Sequence, residues 1–260
     1  MKKRTVGIAI LAGLAISANA LIIDYQMGDP AGTLTSGLVN SGTDSGDIAG
    51  DVQGAATTGT GSLRYTGLTA NSTKKHALDV TYSSGSFQLT YRVAAWDYTA
   101  NTDSDGISFA LWDSVSSLGL KAMIDYNVAG TRVRVTGTNG KQVILNQSSG
   151  TDLIIRTIAN LDANTFSADY NLGGAGWIAI ATDEVLGISS IDEFRLIADG
   201  TPSWGAGASV DVDYATMEAV PEPSTTGLMG AAALAIFLAR NKRKTRAEKI
   251  IQGFERDSEY

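Results

Sequence analysis

Six residues in the middle of the chain have the composition and the spacing of a cation-binding loop. In Asn101-Thr102-Asp103-Ser104-Asp105-Gly106, oxygen-bearing side chains at alternate positions can turn inward together before a glycine. Ca²⁺ takes six to eight oxygen ligands, and loops of this kind supply them from alternate residues. The segment predicts either a calcium site at Asn101, Asp103 and Asp105 or a polar β-turn. An EF-hand would need Glu at position 112, where Trp112 stands instead.

Two pairs of acidic residues have the residue types that a glycosidase uses. Asp211 and Asp213 alternate on a predicted strand and therefore share one face, whereas Asp192 and Glu193 are neighbours and point to opposite faces. Retaining glycosidases need two carboxyl groups about 5 Å apart on either side of a sugar cleft. We expect a solvated acidic face at Asp211 and Asp213, and a glycosidase or lyase acting on exopolysaccharide is the alternative function.

The single histidine and the tryptophans are the remaining candidates. His76 lies in STKKHALD, without a nucleophile elbow nearby, so we expect a surface residue and not a catalyst. Aromatic rings stack on sugars, and Trp96, Tyr98 and Trp204 lie close to the 101–105 loop or in a glycine-rich loop of their own. With Asp105 they form the predicted glycan-binding set. Trp112 and Trp177 are expected in the core.

Charge and cysteine content exclude several classes of function. Residues 21–220, called the body below, carry 10 Lys and Arg against 22 Asp and Glu, a net charge of −12. Such a body repels phosphate backbones, so we expect no nucleic-acid partner. The chain has no Cys, which excludes disulfides, Cys-ligated zinc and thiol catalysis.

The first twenty residues have the three parts of a secretory signal. Lys2, Lys3 and Arg4 precede an apolar run over 6–16, and a small-x-small cleavage site follows at 18–20. The run is too short to span a bilayer, which needs about 20 residues. We expect a signal peptide over residues 1–20 that directs the chain to the secretion translocon.

The other end of the chain predicts a membrane tether. An apolar segment covers residues 225–239, and a basic cluster follows it at Arg240, Lys242, Arg243, Lys244 and Arg246. The positive-inside rule assigns this cluster to the cytoplasmic side, so the body would face the periplasm from the inner membrane before processing. Residues 247–260 would form a cytoplasmic tail.

Pro221-Glu222-Pro223, the apolar segment and the basic cluster together resemble the PEP-CTERM sorting signal of Gram-negative bacteria. The resemblance covers residues 220–246 and implies recognition of Pro221, Glu222 and Pro223 by an exosortase, followed by sorting to the cell surface or extracellular matrix, often beside exopolysaccharide. The chain departs from the family because it continues with AEKIIQGFERDSEY. A plain C-terminal anchor is the alternative.

Within the body, residues 21–60 are rich in Gly, Ser, Thr and Asp and predict loop with one strand near LIIDYQ. From residue 61 to 219, apolar and polar residues alternate in twelve short segments bounded by turn residues, which predicts strands. Asn139-Gly140 suits a type I′ hairpin turn, and TDEVLGISS suits a short helix.

We therefore expect an all-β fold, a two-sheet antiparallel sandwich of jelly-roll type in the concanavalin A/laminin G-like group. Residues 104–111, SDGISFAL, resemble a strand of L-type lectins whose Asp contacts sugar; the resemblance implies that role for Asp105. The lectin segment that carries metal-binding carboxylates has no match. The predicted function is a structural or glycan-binding module, and not an enzyme, that is exported and sorted to the envelope.

Overall fold

The computed structural model describes residues 20–27, 32–33, 37–49, 56–59, 62–66, 71–100, 106–127, 129–199 and 207–221. The chain divides into Asn19–Val220 and a second unit made of Met1–Ala18 and Pro221–Tyr260. Nearly all of the described residues belong to the first unit. None of the described residues lies in a helix that could cross a membrane, and the apolar segment predicted to do so, 225–239, lies outside them.

The described residues form strands that are joined by turns and loops. In chain order these are β1 (Ala20–Gln26), β2 (Gly32–Thr33), β3 (Gly37–Leu38), β4 (Ile48–Ala49), β5 (Ala56–Gly59), β6 (Ser62–Thr66), β7 (Ser72–Tyr82), β8 (Ser86–Asp97), β9 (Gly106–Asp113), β10 (Leu118–Asn127), β11 (Gly130–Thr136), β12 (Gly140–Ile144), β13 (Ser149–Asn160), β14 (Thr165–Leu172), β15 (Trp177–Val185), β16 (Ile191–Asp199) and β17 (Ser209–Val220). The strands predicted from alternation correspond to β6–β17 and are confirmed.

The strands form two large antiparallel sheets. The larger sheet has the order β15-β14-β13-β8-β17-β6-β5-β2, with β1 paired to β17 beside β6. The smaller sheet has the order β12-β11-β10-β9-β16-β7, and β3 and β4 form a separate pair. The prediction of an all-β sandwich is confirmed.

Alternating side chains of both sheets form the core between them. Tyr91 of the larger sheet packs against Phe109 of the smaller one, with ring centroids 5.0 Å apart. On β11, Val133 and Val135 are fully buried in this core, while the arginines between and before them lie on the other face. The predicted alternation on this strand is therefore confirmed, and burial of its apolar face is what fixes the register.

Strand β1 joins the two ends of the body. It pairs antiparallel with the second half of β17, so that Ala20 lies opposite Ala219. Val220 in turn lies opposite Ser86, the first residue of β8. We call this side of the sheet, where the strand termini Ala20, Ser86 and Val220 lie, the tail end. The larger sheet therefore begins at Ala20, well before the boundary expected at residue 61.

The opposite ends of the strands, where Asp97 of β8 lies opposite Ser149 and Ser209, are called the loop end. The connection from β8 to β9, which contains the predicted calcium loop, begins there after Asp97. The connection from β16 to β17, which contains Trp204, ends there at Ser209. Ser86 and Asp97 are the first and last residues of β8, so the tail end and the loop end are roughly 36 Å apart along this strand.

Two local predictions were wrong. The hairpin of β11 and β12 exists, but Thr136 pairs with Gly140 and leaves a three-residue loop. Neither Asn139 nor Gly140 has the positive φ that a type I′ turn needs. The segment TDEVLGISS is not helical, because β15 continues to Val185 in pairing with β14.

Candidate functional site

A chain of buried hydrogen bonds runs through Tyr25, His76 and Asp44. The Tyr25 hydroxyl lies 2.5 Å from His76 Nδ1, and His76 Nε2 lies 2.8 Å from Asp44 Oδ1. The second Asp44 oxygen accepts from the backbone N–H of Asp79 at 2.9 Å. His76 is only 2 % exposed, so the prediction of a surface residue was wrong: it points inward from β7.

The order of these groups is that of a hydrolase triad, but the hydroxyl is inaccessible. Burial raises the pKa of Tyr25, so the phenol stays protonated and donates to Nδ1. We therefore assign the imidazole proton to Nε2, where it reaches Asp44. Tyr25 is fully buried beside Phe194, at a centroid distance of 5.8 Å, and no substrate reaches it. The chain links β1, the 40–48 segment and β7, which is a structural role.

The two carboxylates of β17 are each held by an arginine. Asp211 receives both Nε and Nη2 of Arg64, at 2.6 and 2.5 Å. Asp213 receives Nη1 of Arg92 at 2.7 Å, and the same guanidinium binds Asp152 through Nε at 2.9 Å. These hydrogen bonds raise the pKa of both arginines. Asp211 and Asp213 thus form separate ion pairs, which differs from the solvated acidic face that was expected.

Two members of the predicted glycan-binding set are core residues. Trp96 is 2 % exposed, and its indole N–H donates to Thr131 Oγ1 at 2.9 Å across the sandwich. Tyr98 is fully buried, and its hydroxyl donates to the carbonyl of Ile124 at 3.2 Å. Their ring faces are not available to a sugar, which corrects the prediction for both.

The other members of that set, Asp105 and Trp204, lie outside the described residues, as do Asn101 and Asp103 of the predicted calcium loop. Among the residues that the structure does describe, no group of three or more His, Asp or Glu side chains is arranged to hold a metal ion.

Trp112 was expected in the core and lies instead, half-buried, on the outer face of β9. The Arg195 guanidinium lies 3.9 Å from the centre of its ring, and Lys121 Nζ lies 5.5 Å from it. The indole also packs closely on Gly119, where an added Cβ would lie 2.3 Å from Trp112 Cε3. With cations and a strand against it, Trp112 is not a free stacking surface.

Trp177 was also expected in the core, and the structure places it on the surface. It opens β15, the edge strand of the larger sheet, and is 46 % exposed. The Arg156 guanidinium lies 4.1 Å from the centre of the ring. Arg156 is itself fixed by a two-pronged ion pair with Asp169, in which Nε donates to Oδ1 at 2.9 Å. The indole is therefore held in place by a neighbour that is itself immobilised.

A small surface pocket adjoins this ion pair on the outer face of β13, β14 and β15. Its volume is roughly 140 Å³. The lining residues are Arg156, Ile158, Ser167, Ala168, Asp169, Ala179, Ala181 and Thr182. Asn171, which lies opposite Trp177 in the sheet, carries a buried side-chain oxygen without a hydrogen-bond partner. We call Trp177 and this pocket the Trp177 site.

The sequence analysis did not predict the Trp177 site, because its residues come from three strands and none of them belongs to a recognisable motif. One part of the site could have been predicted from the sequence. Asn160 pairs with Thr165 across a four-residue turn, and counting back from that turn brings Arg156 opposite Asp169. Registering the two strands by their turn therefore predicts the ion pair, although not the exposure of Trp177.

The comparisons with known proteins identify the C-terminal segment that follows the body. Residues 219–244 match the model of the PEP-CTERM protein-sorting motif. The match begins within β17, whose last two residues are Ala219 and Val220, so the motif follows the folded body without a linker. The predicted resemblance of residues 220–246 to the PEP-CTERM sorting signal is confirmed. No curated protein matches the sequence of the chain.

Among solved structures, similar folds occur in lectins and in glycosidases. A legume lectin-like domain from Entamoeba histolytica matches with a TM-score of 0.48 and 10 % identity, over 65 % of this chain and 89 % of that one. Peanut lectin matches with a TM-score of 0.45 and 15 % identity, over 65 % and 91 %. The GH43 protein BlXynB of Bacillus licheniformis matches with a TM-score of 0.44 and 15 % identity, over 61 % and 33 %.

Proposed function

We propose that the protein is an exported carbohydrate-binding module that an exosortase sorts to the cell surface or extracellular matrix. The observation that carries the proposal is a PEP-CTERM motif attached directly to the last strand of a β-sandwich. Residues 1–20 direct export through the secretion translocon. Residues 225–239 and the basic cluster from Arg240 to Arg246 hold the body at the inner membrane, facing the periplasm, until Pro221-Glu222-Pro223 is processed.

The attachment point leaves much of the body free to bind. The motif continues from Val220 at the tail end, while the connections that contain Asn101–Asp105 and Trp204 are joined to strands at the loop end, roughly 36 Å away along β8. Calcium binding by Asn101, Asp103 and Asp105, and glycan contacts from Asp105 and Trp204, are part of the proposal. The net charge of −12 makes exopolysaccharide a better partner than nucleic acid.

The sorting half of the proposal is tested by following the C-terminus in the cell. The full chain is produced in a Gram-negative host with and without an exosortase, and its mass and location are measured. We expect a shortened, surface-exposed form only with the enzyme. Replacement of Pro221, Glu222 and Pro223 by alanine should abolish the shortening, whereas Glu248→Ala in the tail should not. A chain that stays uncut in both hosts would mean that the segment is a plain anchor.

The binding half is tested by retention on insoluble polysaccharides and on a glycan array, with Ca²⁺ and with EDTA. Binding to at least one glycan supports the module. Release of reducing sugar from a bound polysaccharide would show an enzyme instead. Absence of binding to every glycan would leave a structural matrix role.

A further inference from the structure

We propose that the Trp177 site binds one pyranose unit of a neutral polysaccharide. This inference rests on the proposed carbohydrate-binding function and adds to the loop-end contacts of Asp105 and Trp204 a second sugar contact, on the outer face of the larger sheet. The indole, the Arg156–Asp169 pair and the pocket beside them have complementary parts of the chemistry that a sugar requires.

The indole provides a stacking surface. One face of a pyranose ring consists of C–H groups, which pack on an aromatic ring that is partly exposed and held rigid. Trp177 is 46 % exposed, and the guanidinium 4.1 Å from its centre fixes its orientation. Because Arg156 is held by Asp169, little side-chain freedom remains to be lost when a sugar binds.

The polar groups beside the indole suit hydroxyls, which both donate and accept hydrogen bonds. In the pocket, Asp169 accepts, Arg156 donates and the Thr182 hydroxyl does either, while Ser167 Oγ already accepts from the backbone N–H of Asp183 at 3.1 Å. An exposed, immobilised indole next to a pocket with polar walls is the observation that points to a ligand.

The size of the pocket sets the size of the ligand. Pockets for drug-sized molecules measure about 300–1,000 Å³. A volume of roughly 140 Å³ suits one sugar unit, with the rest of the chain lying in solvent across the open edge strand β15.

Charge selects a neutral glycan over an acidic one. Arg156 is neutralised by Asp169, so the site offers no free cation to a uronate or sulfate. The body around it carries a net charge of −12, which repels polyanions. The same edge strand exposes Ile178 and Val185, and pairing with a second copy of the chain is the competing occupant that the test must separate.

The test is electrophoresis of the full chain, in mild detergent, through native gels that contain a polysaccharide. The neutral probes are β-glucan, xylan and galactomannan, and the acidic probes are alginate and polygalacturonate. Trp177→Ala is compared with Trp177→Phe, which keeps a ring. The matched control is Val115→Ser, which removes an apolar side chain that is 90 % exposed in the turn between β9 and β10 of the other sheet. Melting curves establish that each variant is folded.

We expect retardation by a neutral probe, and the part of it that depends on Trp177 should be unchanged in EDTA, because the described residues of the site include no metal cluster. Trp177→Ala should weaken binding roughly tenfold or more. Trp177→Phe should keep most of the affinity, and Val115→Ser all of it.

Three outcomes would overturn the assignment while leaving the proposed module intact. These are wild-type affinity in Trp177→Ala, loss in EDTA of the binding that depends on Trp177, and stronger binding to the acidic probes than to the neutral ones. Sedimentation measured alongside would reveal an interface between copies, if Trp177→Ala dissociated a dimer without changing the retardation. If no probe retards the wild-type chain, the proposed function itself fails.

Discussion

The backbone of Gly42 runs so close to β1 that a Cβ on it would lie 2.1 Å from the carbonyl oxygen of Ile22. The approach is made by backbone hydrogen bonds, since the N–H groups of Thr43 and Asp44 donate to the carbonyls of Leu21 and Ile22, both at 3.0 Å. These bonds cover the free edge of β1, the strand that pairs with the end of β17. An edge strand covered in this way cannot pair with another chain.

Gly42→Ala should therefore destabilise the body by about 1–3 kcal/mol, because neither backbone can move without breaking these bonds. Gly140→Ala is the control. Its Cβ would meet only the Thr136 methyl at 3.3 Å, and its cost should stay within about 0.5 kcal/mol. Urea unfolding followed by circular dichroism measures both. Equal midpoints for the two variants would mean that the 40–44 segment is not fixed on β1.

Removal of the His76 imidazole should lower the free energy of unfolding by more than the lost side-chain volume alone predicts. In His76→Ala, the Tyr25 hydroxyl and the Asp44 carboxylate lose their shared partner in a buried site, and each unsatisfied group costs about 1–3 kcal/mol. Lys75→Ala on the same strand removes an exposed ion pair with Glu193 and should cost less than about 1 kcal/mol. Thermal and urea unfolding compare the two. A His76→Ala variant as stable as Lys75→Ala would show that the chain of hydrogen bonds is not structural.

Asp125→Asn should be strongly destabilising. This fully buried carboxylate receives Arg132 Nε at 2.7 Å and lies 3.0 Å from Arg134 Nη2. Burial raises its pKa, and the two guanidinium groups limit that rise. The amide keeps the volume but leaves the buried Arg132 without its counter-charge, which costs about 3–5 kcal/mol.

The control for this variant is Asp213→Asn. In that variant Arg92, which is partly exposed, keeps Asp152 as a partner. The free energy of unfolding should therefore fall by less than about 1 kcal/mol. The difference between the two urea midpoints checks the expectation, which fails if the amide is tolerated equally at both positions.

The body should lose stability in alkali. Burial raises the pKa of Tyr25 and of the fully buried Tyr91 above the ordinary value of about 10. Above that pH the unfolded chain releases these phenolic protons and the folded chain retains them. Stability therefore falls as the pH rises beyond about 10, and these two groups leave it unchanged below that pH. Absorbance at 295 nm and circular dichroism should change together for the late-titrating tyrosines. Titration of all nine tyrosines near pH 10 in a folded protein would contradict this.

The sequence by itself was enough to predict β1, strands β6–β17 and the C-terminal sorting motif, but not the short strands β2–β5. Alternation over segments such as β13 reports burial of one face, and that burial is a local consequence of the period of a strand. The order Pro221-Glu222-Pro223, apolar segment and basic cluster is read along the chain without any contact, which is why the sorting motif was recognised.

Tertiary structure decided which of the chemically able side chains are accessible. Alternation cannot tell whether an aromatic residue near a strand end lies between the sheets or outside them. Trp96 and Tyr98 contact the smaller sheet and are buried between the two sheets, whereas Trp177 lies on the surface of the edge strand β15. The partners of His76, Asp211 and Asp213 come from residues 32 to 147 positions away, and only the pairing of distant strands brings them together.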